Sequence, residues 1–235
     1  MVAGLTPTQQ EMDGRDWSFG GTWPYEPRWL FTDGIRLHYV DEGPRDGESV
    51  VLLHGSPGWL YAYRLVIPAL ADAGFRTIAY DQLGFGRSDK PEKEGEYSLD
   101  RHVRHLDALV THLELGEAGD ISFVSQGSGL VIASAWAAGR SVARAAHVPA
   151  ARLSRVLRTP VLGRFLVKGS RLPIRTAELS EDERAAFLAP HPSWASRSGI
   201  YVSLRETPYV ALGTVDPAEV LEDLSQRWLE EMLQE

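Results

Sequence analysis

The 235-residue chain contains no cysteine. That excludes disulfides, a thiol nucleophile and thiolate metal sites, and it fits a reducing compartment, so a cytoplasmic location is expected. No apolar run approaches the roughly 20 residues of a bilayer span, and residues 1–16 are polar and acidic without the apolar core of a signal peptide, so no membrane partner is expected. Charges of one sign never gather into a block; with a net charge of -8 there is no basic footprint for nucleic acid. Internal repeats are absent as well. What remains is an ordinary globular composition, 43% hydrophobic and 24% charged, and enough length for one core domain or a core with a small cap.

Residues 1–28 form a polar lead-in whose Trp17, Phe19, Trp23 and Tyr25 predict an arm lying on the domain. Asp33-Gly34 between apolar runs predicts a hairpin, because both central turn positions need positive φ. Val50–Leu53 reads as a strand buried on both faces. A helix is expected over Leu60–Ala73 and a strand over Phe75–Tyr80, followed by the turn-rich Asp81–Pro91. Ser98 is placed to cap a helix carrying Leu99, Val103, Leu106, Val110 and Leu113 on one stripe. Ile121–Ser125 is the next strand, Gln126-Gly127-Ser128-Gly129 a tight turn, and Ser128–Ala138 a helix. The alternation predicts an α/β sheet with parallel crossovers over residues 29–150.

Beyond Gly139 the pattern weakens. Val142–Val148 is a weak strand, and no convincing strand follows it. Arg152–Arg164 looks helical apart from Pro160. Ser180-Glu181-Asp182-Glu183 is a capping box opening a helix to Leu188; Ser193–Leu204 suggests another. Asp216-Pro217 opens a helix with Val220, Leu221, Leu224, Trp228 and Met232 on one side. Residues 151–235 therefore read as a helical, cap-like third.

His54-Gly55-Ser56-Pro57-Gly58-Trp59 with Tyr63-Arg64, then Asp81–Pro91, then the strand-turn-helix at 121–138 together resemble the haloalkane dehalogenase and epoxide hydrolase branch of the α/β-hydrolase fold. The similarity is strongest over residues 29–138 and continues weakly through Pro190–Pro208. It implies a mostly parallel sheet flanked by helices, with a cap. In that family an Asp at the tip of the turn attacks the substrate to form an ester, and a His supported by a second acid activates the water that hydrolyses it. Aligned without a gap, Gly127 takes the place of that Asp; shifted by one residue, Gln126 does. Neither is a carboxylate. No residue matches the family's His or acid, and the strands that would precede them are missing from the chain.

The resemblance implies an oxyanion hole at the backbone N–H groups of Ser56 and Ser128, with His54, Gly55, Trp59 and Gly127 about the pocket. Ser128 and Ser125 are the hydroxyl candidates near the tip, and Gln126 the remaining polar side chain. Neither serine satisfies Gly-x-Ser-x-Gly, and serines capping backbone donors explain both residues. His102, His105 and His112 are expected on the solvated side of their helix rather than at a metal. Glu181, Asp182 and Glu183 fit capping and the helix dipole, and Asp81 a brace for its glycine loop. No cofactor or metal is implied. The leading expectation is a pseudoenzyme binding a small apolar molecule, with a homodimer or second subunit covering an open sheet edge. The alternatives are an active hydrolase or a lyase or cyclase using the oxyanion loop, or one half of a split hydrolase.

Overall fold

The computed structural model describes residues 12–116, 121–140, 142–148, 150–152, 159–175, 177–207 and 209–232. It begins its sheet with the expected hairpin: β1 (Arg28–Thr32) and β2 (Ile35–Glu42) pair antiparallel in the register Thr32↔Ile35. Asp33 and Gly34 carry φ of 50° and 72°, the two positive values that a tight two-residue turn between twisted strands requires. The strands β3 (Ser49–Leu53), β4 (Arg76–Tyr80), β5 (Ser122–Gln126) and β6 (Ala145–Val148) complete six, in the order β1-β2-β4-β3-β5-β6. The β1–β2 and β2–β4 pairs are antiparallel and the other three are parallel, so the sheet is mixed, its parallel part running from β4 to β6.

Side-chain alternation along β3 divides the interior into two cores. Val50 and Leu52 face one apolar cluster and Val51 and Leu53 the other, all four fully buried. The first cluster holds α1 (Val66–Asp72) and the arm, whose Trp17 and Trp23 pack edge-on and tilted against Trp59. The second holds α2 (Leu99–His112) and α3 (Ser128–Ala137). Burying a side chain of this size stabilises by roughly 1.5–3 kcal/mol, so both faces of β3 anchor the domain. Helix α3 approaches β3 closely: a Cβ on Gly129 would sit 2.3 Å from the Leu53 carbonyl oxygen, which leaves room only for glycine.

The helix expected over Leu60–Ala73 is divided. A 3₁₀ turn covers Leu60–Tyr63, and α1 starts at Val66. Pro68 lacks an N–H and its ring would strike the carbonyl of Arg64, so an unbroken helix through this point is excluded. The carbonyl left over at Arg64 accepts from the Tyr25 hydroxyl at 3.3 Å. Ser98 caps α2 by accepting from the Arg101 N–H at 3.2 Å, as its position implied.

In the last third, two strands appear where none was expected: β7 (Ala151–Arg152) pairs antiparallel with β8 (Tyr209–Val210). Two residues are too few to show an alternating pattern, and the pairing joins positions nearly 60 residues apart. Arg152 thus lies in a strand rather than in the expected helix; residues 153–158 lie outside the described residues, and helix runs only over Leu162–Arg164, continuing into a π-helical turn Phe165–Gly169. Helix α4 (Glu181–Leu188) opens with the full capping box between Ser180 and Glu183. Glu183 also pairs with Arg64 at 3.0 Å and accepts from the Thr214 hydroxyl at 2.7 Å, tying α4 to the core. A 3₁₀ turn Ala195–Arg197 leads into α5 (Ser198–Glu206), and α6 (Pro217–Met232) closes the described chain. Asp216 accepts from the Ala218 N–H at 2.9 Å, and Val220 and Leu224 of α6 are buried in the first cluster. Among the described residues, no helix is long and apolar enough to cross a membrane.

Candidate active site

Parallel strands place their carboxyl ends on one rim of the sheet, and the turns that leave β3, β4 and β5 there build the site. After β5 the chain turns at Gly127, with φ 53° and ψ −117°, and enters α3 at Ser128. This is the sharp strand-to-helix turn at which an α/β-hydrolase presents its nucleophile. Gly127 occupies the tip, so the position facing outward carries no side chain. Gln126 is still in the strand, with its side chain buried and Oε1 lacking a hydrogen-bond partner. Ser125 is buried on β5 and directs its hydroxyl toward the Ala146 carbonyl at 3.5 Å.

The loop after β3 lies beside this turn. The Ser56 N–H donates to the Ser128 hydroxyl oxygen at 3.1 Å, so one of the two backbone donors of the expected oxyanion hole already holds a side-chain oxygen. The Ser56 carbonyl accepts from the Ala211 N–H at 2.8 Å, which fastens the loop to the segment following β8. His54 is fully buried; its Nε2 accepts from the Gln82 N–H at 3.1 Å and its Nδ1 lies 3.2 Å from the Gly55 carbonyl oxygen. Burial holds its pKa below the usual histidine value, and the ring is a neutral part of the loop's framework. Trp59 is buried among the arm's aromatic rings and donates from Nε1 to the Ala186 carbonyl at 3.1 Å, joining core to cap.

The turn after β4 is held by Asp81. Its carboxylate accepts from the N–H of Leu60 at 3.1 Å and of Arg87 at 2.9 Å, and meets His38 Nδ1 at 2.7 Å, all in full burial. Burial alone would raise this carboxyl, but His38, His54 and the Arg87 N–H outweigh it and hold its pKa below the usual value. Lys90, also buried, donates to the carbonyls of Phe85 at 3.3 Å and Ser88 at 2.9 Å, and burial lowers its pKa to about 7.

A cavity of about 440 Å³ opens on the Gly127 turn. Gly127 and Ser128 lie on its wall, with Gln82 and Phe85 from the neighbouring turn. Helix α2 contributes Leu99 and His102, and α3 contributes Leu130 and Val131. Helix α5 supplies Val202, Ser203 and Glu206, and β6 supplies His147. His54, Gly55 and Trp59 are not on this wall. The segment around Ala211 covers Gly55, on which a Cβ would come within 2.3 Å of the Ala211 Cβ, and Trp59 packs in the first cluster.

The histidines of α2 correct the expectation of a solvated face. His105 is 1% exposed, and His102 lines the cavity. Burial first, then neighbouring positive charge, lowers His102 to about 3 and His105 to about 4, so both are neutral at ordinary pH. Only His112 lies on the exposed side. The signal was present in the spacing: His102 stands three residues after Leu99 and four before Leu106, on the apolar stripe itself. His147 was missed for a different reason, since a weak four-residue strand does not show which face it presents. Its Nδ1 lies 3.0 Å from the Ser125 carbonyl oxygen, an acceptor that fixes the proton on Nδ1 and leaves Nε2 as the ring's lone-pair nitrogen. Among the described residues, no group of three or more His, Asp or Glu is arranged to hold a metal ion.

Comparison with known proteins agrees with this geometry. A family described as alpha/beta hydrolase fold matches residues 48–160. The chain is 47% identical over 96 residues to a haloalkane dehalogenase of Psychrobacter cryohalolentis, a stretch covering 39% of this chain and 32% of that protein. A haloalkane dehalogenase of Mycobacterium marinum is 51% identical over 87 residues, covering 37% of this chain and 29% of that one. The matched stretch therefore spans about a third of the length of these curated relatives. Among solved structures, a loop variant of the haloalkane dehalogenase DbeA from Bradyrhizobium elkanii superposes with a TM-score of 0.69 at 25% identity, covering 87% of this chain and 75% of that one. The tetrameric haloalkane dehalogenase DpaA from Paraglaciecola agarilytica gives 0.65 at 26% identity, covering 86% and 70%. The chain has the α/β-hydrolase fold. Within that fold it is haloalkane dehalogenase-like.

Proposed function

We propose that this chain is a haloalkane dehalogenase-like α/β-hydrolase-fold protein that binds a small apolar molecule in the cavity above the Gly127 turn and does not perform ester-forming hydrolysis by itself. The observation that carries the reading is the pairing of a well-formed cavity with a side-chain-free tip. The space for a substrate is present, and the carboxylate that would attack it is not. Apolar walls with a few polar groups are the usual composition of a small-molecule site. The test is thermal unfolding with and without 1-chlorohexane, together with halide release. At a ligand concentration 100 times Kd, stabilisation of about 2.7 kcal/mol and a melting rise of several degrees are expected, with no halide released. Multiple turnovers would overturn the reading.

One observation favours a second reading, that of an active hydrolase. Ser128 Oγ stands on the cavity wall against the Ser56 N–H, and His147 shares that wall. Turnover of an activated ester that disappears in Ser128→Ala would establish it. For partners, a homodimer or a second subunit would cover β6, the last strand of the sheet in the described residues. Native mass distinguishes these from the 26.0 kDa monomer.

A further inference from the structure

The proposed cavity has apolar walls, but its polar groups are of one restricted kind. Among the described residues, no lysine or arginine lines it. The one carboxylate on it among the described residues is that of Glu206, an exposed residue at the end of α5. His102 is held neutral by burial. A carboxylate or phosphate ligand would therefore find no positive charge on the described wall, where the desolvation of a charged group would go uncompensated.

Two neutral polar groups on the wall, one at the Gly127 turn and one on α2, have hydrogen-bonding capacity to spare. Ser128 Oγ already accepts from the Ser56 N–H, so its own proton is available to an incoming oxygen. In His102, Nδ1 is buried without a partner, which leaves Nε2 as the ring's route to a hydrogen bond in the cavity. The side of the ring facing the cavity is thus where His102 can gain a hydrogen bond that its surroundings do not supply.

We propose that the cavity selects an uncharged molecule with an apolar body and a single hydroxyl or carbonyl oxygen, the oxygen being held by the Ser128 hydroxyl and the His102 ring. The inference rests on the cavity being a small-molecule site. It adds that the site distinguishes polar-ended from wholly apolar ligands. The apolar body lies along Leu99, Leu130, Val131 and Val202, and the oxygen meets a neutral hydrogen-bonding pair contributed by the Gly127 turn and α2.

The test is calorimetric titration of the full chain with 1-hexanol, hexane and hexanoate, in the native protein and in His102→Phe and Ser128→Ala. Native protein is expected to bind 1-hexanol about tenfold more tightly than hexane, the effect of one well-placed hydrogen bond, and hexanoate weakest of the three. His102→Phe keeps a flat ring on the wall and removes the buried orphan nitrogen, so it is expected to fold. It should lose the preference for the alcohol over the alkane. Ser128→Ala should lose part of that preference. Equal binding of alcohol and alkane by the native protein, or a preference that survives both substitutions, would overturn the proposal while leaving the cavity as a binding site. Failure of all three compounds to bind would instead remove the underlying reading, and the proposal with it.

Discussion

Two neighbouring turns leave the same rim of the sheet, one after β4 and one after β5, and they divide the work of the site between them. The turn after β4 contains a carboxylate, Asp81, but every direction of that carboxylate is already used: two backbone N–H groups and His38 close around it in full burial. The turn after β5 has no carboxylate and opens on the cavity through Gly127 and Ser128. A charged side chain close to a pocket is thus no sign of chemistry when its lone pairs are spent on its own loop. Asp81 makes the rim rigid, and the turn beside it decides what the rim can do.

The strongest way to test this division is to remove the brace. Asp81→Ala leaves His38 and two buried N–H groups without their partner, and is expected to cost about 3–5 kcal/mol of stability, measured by urea unfolding. Loss of less than about 1 kcal/mol would show that the turn is held by something else. Acidification tests the other side of the cavity. His102 and His105 sit at about 3 and 4 in the folded chain, below the usual 6.5, so the unfolded chain binds more protons between those values. Their neutral burial destabilises nothing above pH 6.5, but stability should fall as pH drops below it and continue to fall toward pH 3. By pH 5 the loss is on the order of 2 kcal/mol for each histidine, about 4 for the pair, and His102→Phe should remove about half of it. An acid limb unchanged by that substitution would place His102 in contact with water.

Putting a carboxylate into the second turn asks whether the tip alone was missing. Gly127→Asp places a side chain at positive φ, with the Ala211 Cβ 3.3 Å from the new Cβ, and is expected to cost about 1–2 kcal/mol in melting experiments. With a haloalkane, no more than one halide should be released per chain, because no histidine stands assigned to hydrolyse the ester. Continued release would show that one of the cavity histidines can do so. The smallest effect concerns the cap. Glu183→Gln weakens the capping box and the Arg64 pair, at about 1 kcal/mol. Thr214, Ser180 and Arg64 hold its carboxyl down to about 2, so its contribution is complete above pH 4.5 and is lost as pH falls toward 2. The urea midpoints of native and substituted chains should accordingly converge at acid pH.

Much of the scaffold was legible because its signals are local. Asp33-Gly34 demands a hairpin whatever surrounds it, Ser98 and Ser180 cap the helices that follow them, and the apolar Val50–Leu53 requires cover on both faces. The motifs at 54–59, 81–91 and 121–138 also marked the fold, and the tip of the β5 turn was narrowed to two residues. The cavity was much less legible. Its wall draws on residues 82–102, 127–150 and 199–207, and no local pattern states which of these meet. His102 reads as solvated when the helix is divided into apolar and polar sides and no carboxylate or thiolate supports a metal, although its helical spacing matches the apolar stripe. The β7–β8 pair was invisible because two-residue strands have no period.

The sequence by itself determined the class of fold, the positions of the turns and the absence of a carboxylate at 126 and 127, since each follows from residues close in the chain or from the identity of one residue. Only the tertiary structure decided that Gly127 is the tip, that the Ser56 N–H is held by Ser128, and that His102 and His147 share a wall with them. These depend on strand register and on how closely α2, α3 and α5 pack, and packing is settled by the sum of many weak contacts between distant segments rather than by any one of them.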